Sequence, residues 1–136
     1  MAQLAIAAMI ASGLATRYDP GVMDQVVENR VDWGQVDPSL LALGYVALLD
    51  CERIGEPVWL EHPDGRVVGP VVVADCAQEE HREELIGRGF AVDLSYELAV
   101  ELGAVEAPVM GMKVWDGRPR TRQPRRGQPR GLTLQD

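Results

Sequence analysis

Two aspartates stand where apolar runs end, and each could present a carboxyl group from the rigid end of a strand. Asp75 follows the run at residues 71–74, and Asp93 follows the run at residues 90–92. A carboxyl in such a position is partly desolvated, and desolvation or a neighbouring carboxylate raises its pKa towards neutrality, where it can act as a general acid. The plainer interpretation is that Asp75 ends its strand in a turn and that Asp93 caps the following helix.

A third carboxylate, Asp19, stands directly before Pro20 at the predicted start of a helix. Aspartate caps the free N–H groups of a first turn, and proline is tolerated there because its missing N–H would have had no partner. Apolar residues then recur at helical spacing as far as Val31. The pattern predicts a helix from residue 19 to about residue 30 with an aliphatic buried face.

Short strands account for most of the remaining apolar residues. They are predicted at residues 13–18, 45–49, 56–61, 66–74, 90–92 and 109–115. The sequence HPDG at residues 62–65 favours a tight hairpin turn that exposes His62 to solvent, and Gly69-Pro70 favours a bulge or a bend.

Two further segments have helical potential. The charged segment at residues 79–87 could form a short helix, and residues 95–102 form a clearer pattern, with Ser95 as cap and Gly103 as stop. About six short strands with one or two short helices in roughly 100 residues favour a mainly β fold, a closed six-stranded barrel.

Charge is unevenly distributed along the chain. The net charge is -8, but residues 117–136 hold six arginines against Asp136 alone, which leaves residues 1–116 at -13. An acidic body repels nucleic acid, so no nucleic-acid partner is expected. The tail at residues 117–136 is rich in Arg, Pro and Gly. We predict that it is disordered; the alternative is a flexible cationic arm that contacts an anionic polymer or surface.

The N-terminal segment at residues 1–12 contains a short apolar run. It resembles the later part of a secretory signal, although no Lys or Arg precedes it, and it is too short for stable membrane insertion. The run is therefore either a signal remnant, with the mature domain beginning near residues 11–13, or an ordinary buried segment. The predicted folded domain spans residues 13–116.

Three motifs follow one another in a particular order: GLATRY at residues 13–18, VWLEHPDGRVVGPVVVADC at residues 58–76 and FAVDLSYELAVELG at residues 90–103. This order resembles the double-psi β-barrel of barwin, the expansins and the rare lipoprotein A group. In those families a strand ending in Asp, often beside Cys, precedes a strand ending in hydrophobic-Asp-Leu-Ser, which opens a helix ending in Leu-Gly. The resemblance covers residues 13–115 and implies a six-stranded double-psi barrel.

The resemblance implies a secreted or cell-envelope protein whose partner is peptidoglycan or another polysaccharide. In active relatives the aspartate at the position of Asp93 protonates a glycosidic oxygen, and that of Asp75 lies nearby in the same groove. ATRYDP at residues 15–20 is similar to the start of barwin-related endoglucanases, which would make Asp19 the base of an inverting hydrolase, although it stands one residue early. A lytic transglycosylase needs no such base, because the sugar's own hydroxyl attacks. The rare lipoprotein A pattern has a histidine near residues 49–51, where this chain has none, so binding without cleavage is the alternative.

The two cysteines, Cys51 and Cys76, stand near the ends of predicted strands. The resemblance implies that they form a disulfide, which would stabilise the fold by about 3 kcal/mol in the chain-entropy model and would indicate export to an oxidising compartment. The alternative is a pair of buried free thiols.

Aromatic rings stack on sugar faces, and we predict that Tyr18, Trp33 and Tyr96 bind the substrate. No cofactor or metal is expected. One set of residues has suitable ligand types but no recognised metal-binding spacing: Cys76, Glu79, Glu80 and His81.

Three functions from different classes remain open. The protein is a glycan-binding barrel, or a cell-wall enzyme of the lytic transglycosylase or endoglucanase-like type, or a non-catalytic structural subunit of an extracellular assembly that uses its barrel as a scaffold.

Overall fold

A closed six-stranded β-barrel forms the body of the protein. The structure is a computed structural model that describes residues 6–40 and 42–120. Its strands are β1 (Met9–Arg17), β2 (Tyr45–Leu48), β3 (Pro57–Glu61), β4 (Val67–Cys76), β5 (Phe90–Leu94) and β6 (Val109–Trp115). They close in the order β1-β5-β2-β4-β3-β6, with β1–β5 and β2–β4 parallel and the other neighbours antiparallel. The predicted mainly β, six-stranded barrel is confirmed.

The described residues contain three α-helices, where one or two were predicted. They are α1 (Val22–Asp32), α2 (Arg82–Gly87) and α3 (Tyr96–Leu102). α2 follows a 3₁₀ turn at Glu79–His81 and lies in the charged segment at residues 79–87, for which a short helix was a possibility. α3 ends at Gly103, which adopts the left-handed conformation with φ 72° that the predicted stop requires.

β1 begins at Met9, four residues before the predicted strand start at residue 13. Its first half pairs with β6, with Met9 opposite Trp115 and Ser12 opposite Lys113. The predicted domain boundary is therefore too late, because residues 9–12 already belong to the barrel. A domain that began at residues 11–13 would lack the start of this strand.

Gly13 marks the point inside β1 where its pairing shifts towards β5. Its φ is 140°, and a Cβ there would lie 2.2 Å from the carbonyl oxygen of Gly89. Leu14 then donates its N–H to that same oxygen at 2.8 Å. Only glycine allows this close approach. Gly13, where the predicted strand begins, is therefore a bend inside a longer strand.

The HPDG turn and the Gly69-Pro70 bulge were both predicted correctly. Residues 62–65 join β3 to β4, and Gly65 has φ 98°. The register of β3 and β4 shifts opposite Trp59, where β4 has one extra residue. A Cβ on Gly69 would lie 2.4 Å from the Trp59 indole, so the indole occupies the space that a side chain would fill.

β4 is buried on both faces, which explains its continuous apolar sequence. Val71 and Val73 face the barrel core, which is filled by aliphatic side chains. Val72 and Ala74 face outward and pack in a second cluster with Met23 of α1. α1 is thereby fixed against the strand that carries Asp75.

Both ends of the sequence extend past the described part. Residues 1–5 and all but the first four residues of the predicted tail at 117–136 lie outside the described residues. Within residues 6–40 and 42–120, no helix has both the length and the apolar composition to cross a membrane.

Candidate functional site

The barrel brings Asp75 and Asp93 into one row of side chains. Asp75 of β4 and Asp93 of β5 are both in register with Ala47 of β2, and Thr16 of β1 is in register with Asp93. Residues directly opposite each other in a sheet project to the same face. The charge of Asp75 acts on Asp93, so the two carboxyl groups lie within electrostatic range of each other.

Asp93 is a partly buried carboxyl with a single side-chain hydrogen-bond donor in the described part of the chain, the hydroxyl of Thr16 at 3.0 Å. The pKa of Asp93 is raised to about 6, chiefly by burial and also by the charge of Asp75, while the Thr16 hydrogen bond and nearby Arg17 oppose the rise. Asp93 lies inside β5, and the helix cap position belongs to Ser95. The interpretation of Asp93 as a helix cap is therefore wrong.

Asp75 is saturated with donors. One oxygen accepts from the Arg30 guanidinium at 3.0 Å and from the Cys76 N–H at 2.9 Å, and the other accepts from the Tyr18 hydroxyl at 2.6 Å. Burial and the hydrogen bond to Asp75 raise the pKa of Tyr18, so its hydroxyl stays a donor. Both oxygens of Asp75 are thus occupied by donors, which suits this residue to influence Asp93 more than to transfer a proton.

Asp19 lies on the surface, with 79% of its side chain exposed, and pairs with Arg17 at 2.8 Å. It does not cap α1, because the cap position is Gly21, whose φ is 82° and whose helix begins at Val22. The predicted capping role and the predicted helix start at residue 19 are wrong. An ion pair with the preceding arginine replaces them.

Two cavities meet at Thr16 and Arg17, which line both of them. The Asp93 cavity, of about 290 Å³, is otherwise lined by Asp93, Arg88 and mainly apolar side chains from β1, β2, α2 and β5. The Asp19 cavity, of about 320 Å³, is lined by Asp19, Glu106 and the loop before β6. Asp93 and Asp19 therefore lie in adjacent cavities separated by the Arg17 side chain.

The three predicted sugar-binding aromatics do not line either cavity. Tyr18 is bound to Asp75, and Tyr96 lies beneath the Arg17 guanidinium at 5.9 Å. Trp33 is 65% exposed and has the Arg30 guanidinium 5.5 Å from its ring. Of the three, Trp33 offers the most accessible ring.

Cys51 and Cys76 form a disulfide, as the resemblance implied. Cys76 also lines the Asp93 cavity, next to the strand end that holds Asp75. Because its sulfur is bonded to Cys51, Cys76 is not available as a metal ligand. Among residues 6–40 and 42–120, no group of three or more His, Cys, Asp or Glu side chains is arranged to hold a metal.

Sequence reasoning missed the two arginines that organise the site. Arg30 reaches from α1 to Asp75 and to the carbonyl of Ala74 at 3.1 Å, and Arg17 binds the Val105 carbonyl at 2.9 Å. No local pattern in the sequence indicates these contacts, because Arg30 is 45 positions from Asp75 and Arg17 is 88 positions from Val105.

His62 was predicted to be solvated, but its side chain is only 14% exposed. One ring nitrogen lies 3.1 Å from the carbonyl of Leu102, and the other accepts the N–H of Asp64. The side chain therefore connects the hairpin turn to the end of α3, which local turn chemistry does not predict.

Comparison with protein-family models, curated proteins and solved structures finds no match for this chain. The double-psi family relationship stays a prediction.

Proposed function

We propose that this protein is a secreted or cell-envelope barrel that binds a polysaccharide or peptidoglycan across Asp93. The observation that carries the proposal is the placement of Asp93, a partly buried carboxyl with one hydrogen-bond donor, in the lining of a cavity. A carboxyl with a pKa of about 6 carries its proton in mildly acidic solution, below that pH, and can give it to a glycosidic oxygen.

The distribution of carboxylates favours one type of cleavage. Among residues 6–40 and 42–120, Asp93 is the sole acidic residue in the lining of its cavity, and Asp75 is occupied by three donors. An acid without an available water-activating base suits a lytic transglycosylase, in which the sugar's own hydroxyl attacks. Hydrolysis would require Asp19 to leave Arg17 and act from the adjacent cavity.

The disulfide supports the proposed location outside the cytosol. Cys51 and Cys76 are bonded to each other, and structural disulfides persist in oxidising compartments. The acidic body of the barrel suits an uncharged or weakly charged polymer better than a polyanion.

The proposal is tested by incubating the full chain with peptidoglycan sacculi and with soluble β-glucans, and analysing released sugars by mass spectrometry. Anhydro-muropeptides that disappear in Asp93→Asn would support a lytic transglycosylase, and reducing-end oligosaccharides would support a hydrolase. Pelleting with a polymer without release would support a binding module. If the protein neither releases sugars nor pellets with any polymer, the proposal is overturned.

One observation favours a second candidate, a non-catalytic subunit of an extracellular assembly. Trp33, Leu43 and Met110 are 64–67% exposed, and exposed large apolar side chains are common at protein contacts. A chain that binds no glycan but forms stable complexes with other envelope proteins would support this candidate.

A further inference from the structure

The segments that precede β1 and follow β6 leave the barrel side by side. Met9, the first residue of β1, lies opposite Trp115, the last residue of β6. The contact continues beyond the strands, because Asp116 donates its N–H to the carbonyl of Ala8 at 2.9 Å and accepts the N–H of Ala8 on its carboxylate at 2.7 Å. The two segments therefore emerge at one place on the surface, which we call the Met9–Trp115 end and define as residues 6–9 and 115–120.

The Met9–Trp115 end lies far from the two cavities. Thr16, next to the last residue of β1, lines both cavities, and Pro108, directly before β6, lines the Asp19 cavity. β1 is 9 residues long, so at about 3 Å per residue its two ends lie roughly 20–25 Å apart. β1 and β6 thus connect the cavities to the opposite end of the barrel.

Positive charge in the sequence is concentrated on the segment that leaves this end. Residues 117–136 hold six arginines against Asp136 alone, and the first two of them, Arg118 and Arg120, are exposed. The acidic residues of the body oppose binding to an anionic surface, but charges further away than the Debye length of about 10 Å are largely screened. The Met9–Trp115 end can therefore meet an anionic surface while acidic groups near the cavities stay outside its range.

Apolar side chains accompany this positive charge. Ile6 is 94% exposed and Met9 is 49% exposed, and both belong to the apolar run at residues 4–10. A soluble polyanion offers anionic groups to arginines but no apolar phase for these side chains. The surface of a bilayer that contains anionic lipids offers both, because its phosphates lie directly above the acyl boundary.

We propose that the Met9–Trp115 end docks the protein peripherally on an anionic lipid bilayer. The arginines of residues 117–136 face the lipid phosphates, and Ile6 and Met9 enter the headgroup region. The Asp93 and Asp19 cavities then face away from the bilayer. This inference goes beyond the proposed glycan binding and does not depend on it, since none of residues 6–9 and 115–120 lines either cavity.

Vesicle flotation with the full chain tests the docking. The two probes are phosphatidylcholine vesicles with and without about 30% phosphatidylglycerol, and each arginine near an anionic surface should strengthen binding by roughly fivefold. We therefore expect at least about hundredfold tighter binding to the anionic vesicles in about 0.1 M salt, and loss of most of this difference in about 1 M salt. Equal binding to both vesicles, or binding to neither, would overturn the inference and leave the glycan proposal to its own test on sacculi and glucans.

Substitutions in the arginine-rich segment test which charges act. Four arginines are changed together: Arg122, Arg125, Arg126 and Arg130. Their replacement by Gln should weaken binding to the anionic vesicles at least about hundredfold, whereas replacement by Lys should keep the affinity within about threefold, because a bilayer responds to the charge more than to the geometry of its carrier. A large loss with Lys, or none with Gln, would contradict the assignment.

A matched control changes the net charge by the same amount at the cavity end. Four exposed acids on or beside α2 are replaced by Gln: Glu79, Glu80, Glu83 and Glu84. Because these positions stay beyond the Debye length of the docked surface, the affinity for anionic vesicles should change by less than about threefold. A gain as large as the loss in the arginine variant would mean that net charge alone drives binding, and it would overturn docking through the Met9–Trp115 end.

Ile6→Asn distinguishes a bilayer from a soluble polyanion. It should weaken binding to the anionic vesicles by about fivefold to tenfold, through loss of a buried apolar side chain, and should leave binding to dextran sulfate unchanged. Ile86→Asn, at a 54% exposed position of α2, is the control and should change neither. If the chain binds dextran sulfate as tightly as the anionic vesicles and Ile6→Asn affects neither, the partner is an anionic polymer and the bilayer assignment is wrong.

Discussion

Asp75 and Asp93 occupy equivalent positions on the two strands that flank β2, each in register with Ala47. Their surroundings are nevertheless opposite. Asp75 accepts hydrogen bonds from Tyr18, Arg30 and its neighbouring N–H, whereas Asp93 accepts one from Thr16. The two aspartates therefore take separate roles. Asp75 is held by hydrogen-bond donors, whereas Asp93 is desolvated and lies close to the charge of Asp75.

Asp93 should lower the stability of the fold at neutral pH. Its folded-state pKa is about 6, whereas an aspartate in an unfolded chain titrates near ~3.9. The folded state therefore binds more protons between these values, and the free energy of unfolding should fall as the pH rises from about 4 to about 6. Asp93→Asn should be more stable than the wild type by about 1–2 kcal/mol at pH 8 and no more stable at pH 3.

Urea denaturation at pH 3, 5 and 8 measures this difference. Glu28→Gln, which changes an exposed acid on α1, is the control and should follow the wild-type pH dependence. If Asp93→Asn also follows the wild-type dependence, the carboxyl of Asp93 is not desolvated as described.

The Arg30–Asp75 ion pair should contribute more to stability than the surface pairs. Its side chains are 18% and 22% exposed, so Arg30→Met leaves a poorly solvated carboxylate, with an expected cost of about 2–3 kcal/mol. Asp75→Asn in the same background should recover part of this loss, giving a coupling energy of about 1–2 kcal/mol in the double-mutant cycle.

Arg53 and Glu56 form the matched control for that cycle. Their side chains are 33% and 47% exposed, so Arg53→Met should cost less than about 1 kcal/mol. Chemical denaturation of the four cycle proteins and the control measures both effects. Additive losses at Arg30 and Asp75 would show that the pair is not coupled.

Reduction of the disulfide should destabilise the barrel without changing its strand content. Cys51 and Cys76 are separated by 25 positions, and a closed loop of this length stabilises a fold by about 3 kcal/mol in the chain-entropy model. Urea midpoints with and without a thiol reductant measure the effect. The double variant Cys51→Ser/Cys76→Ser should have a midpoint close to that of the reduced wild type in both conditions, and a response of this variant to the reductant would indicate a different cause.

Gly69 should not tolerate a side chain. A Cβ there would lie 2.4 Å from the Trp59 ring, so Gly69→Ala should cost about 1–3 kcal/mol through displacement of the indole. Gly87→Ala in α2 meets no atom within 4 Å and should be neutral or stabilising by up to about 1 kcal/mol. Thermal denaturation and Trp fluorescence of both variants measure the contrast, and equal effects would mean that the Trp59 contact is unimportant.

Features decided by neighbouring residues could be predicted from the sequence. The turn at residues 62–65, the helix stop at Gly103 and the last strand, found at Val109–Trp115, each depend on local conformational preferences. The number of such elements was enough to predict a closed barrel, because short strands must pair to satisfy their backbone groups.

Features decided by distant residues could not be predicted in this way. The donors that saturate Asp75 come from Tyr18 and Arg30, which are 57 and 45 positions away in the sequence. The start of β1 depends on its pairing with β6, about one hundred residues later. Two aspartates that look alike in the sequence therefore differ in role through contacts that only the closed barrel creates.

The pairing of β1 also affects how the protein is made. Thr16 and Arg17 of this strand separate the two cavities, but the strand's neighbours are β5 and β6, which span residues 90–94 and 109–115. During synthesis the first strand leaves the ribosome long before either partner exists, and contacts over such sequence separations form slowly. The nascent chain must therefore carry an unpaired strand edge until residues 90–115 have been synthesised, and during that time this edge needs protection from aggregation.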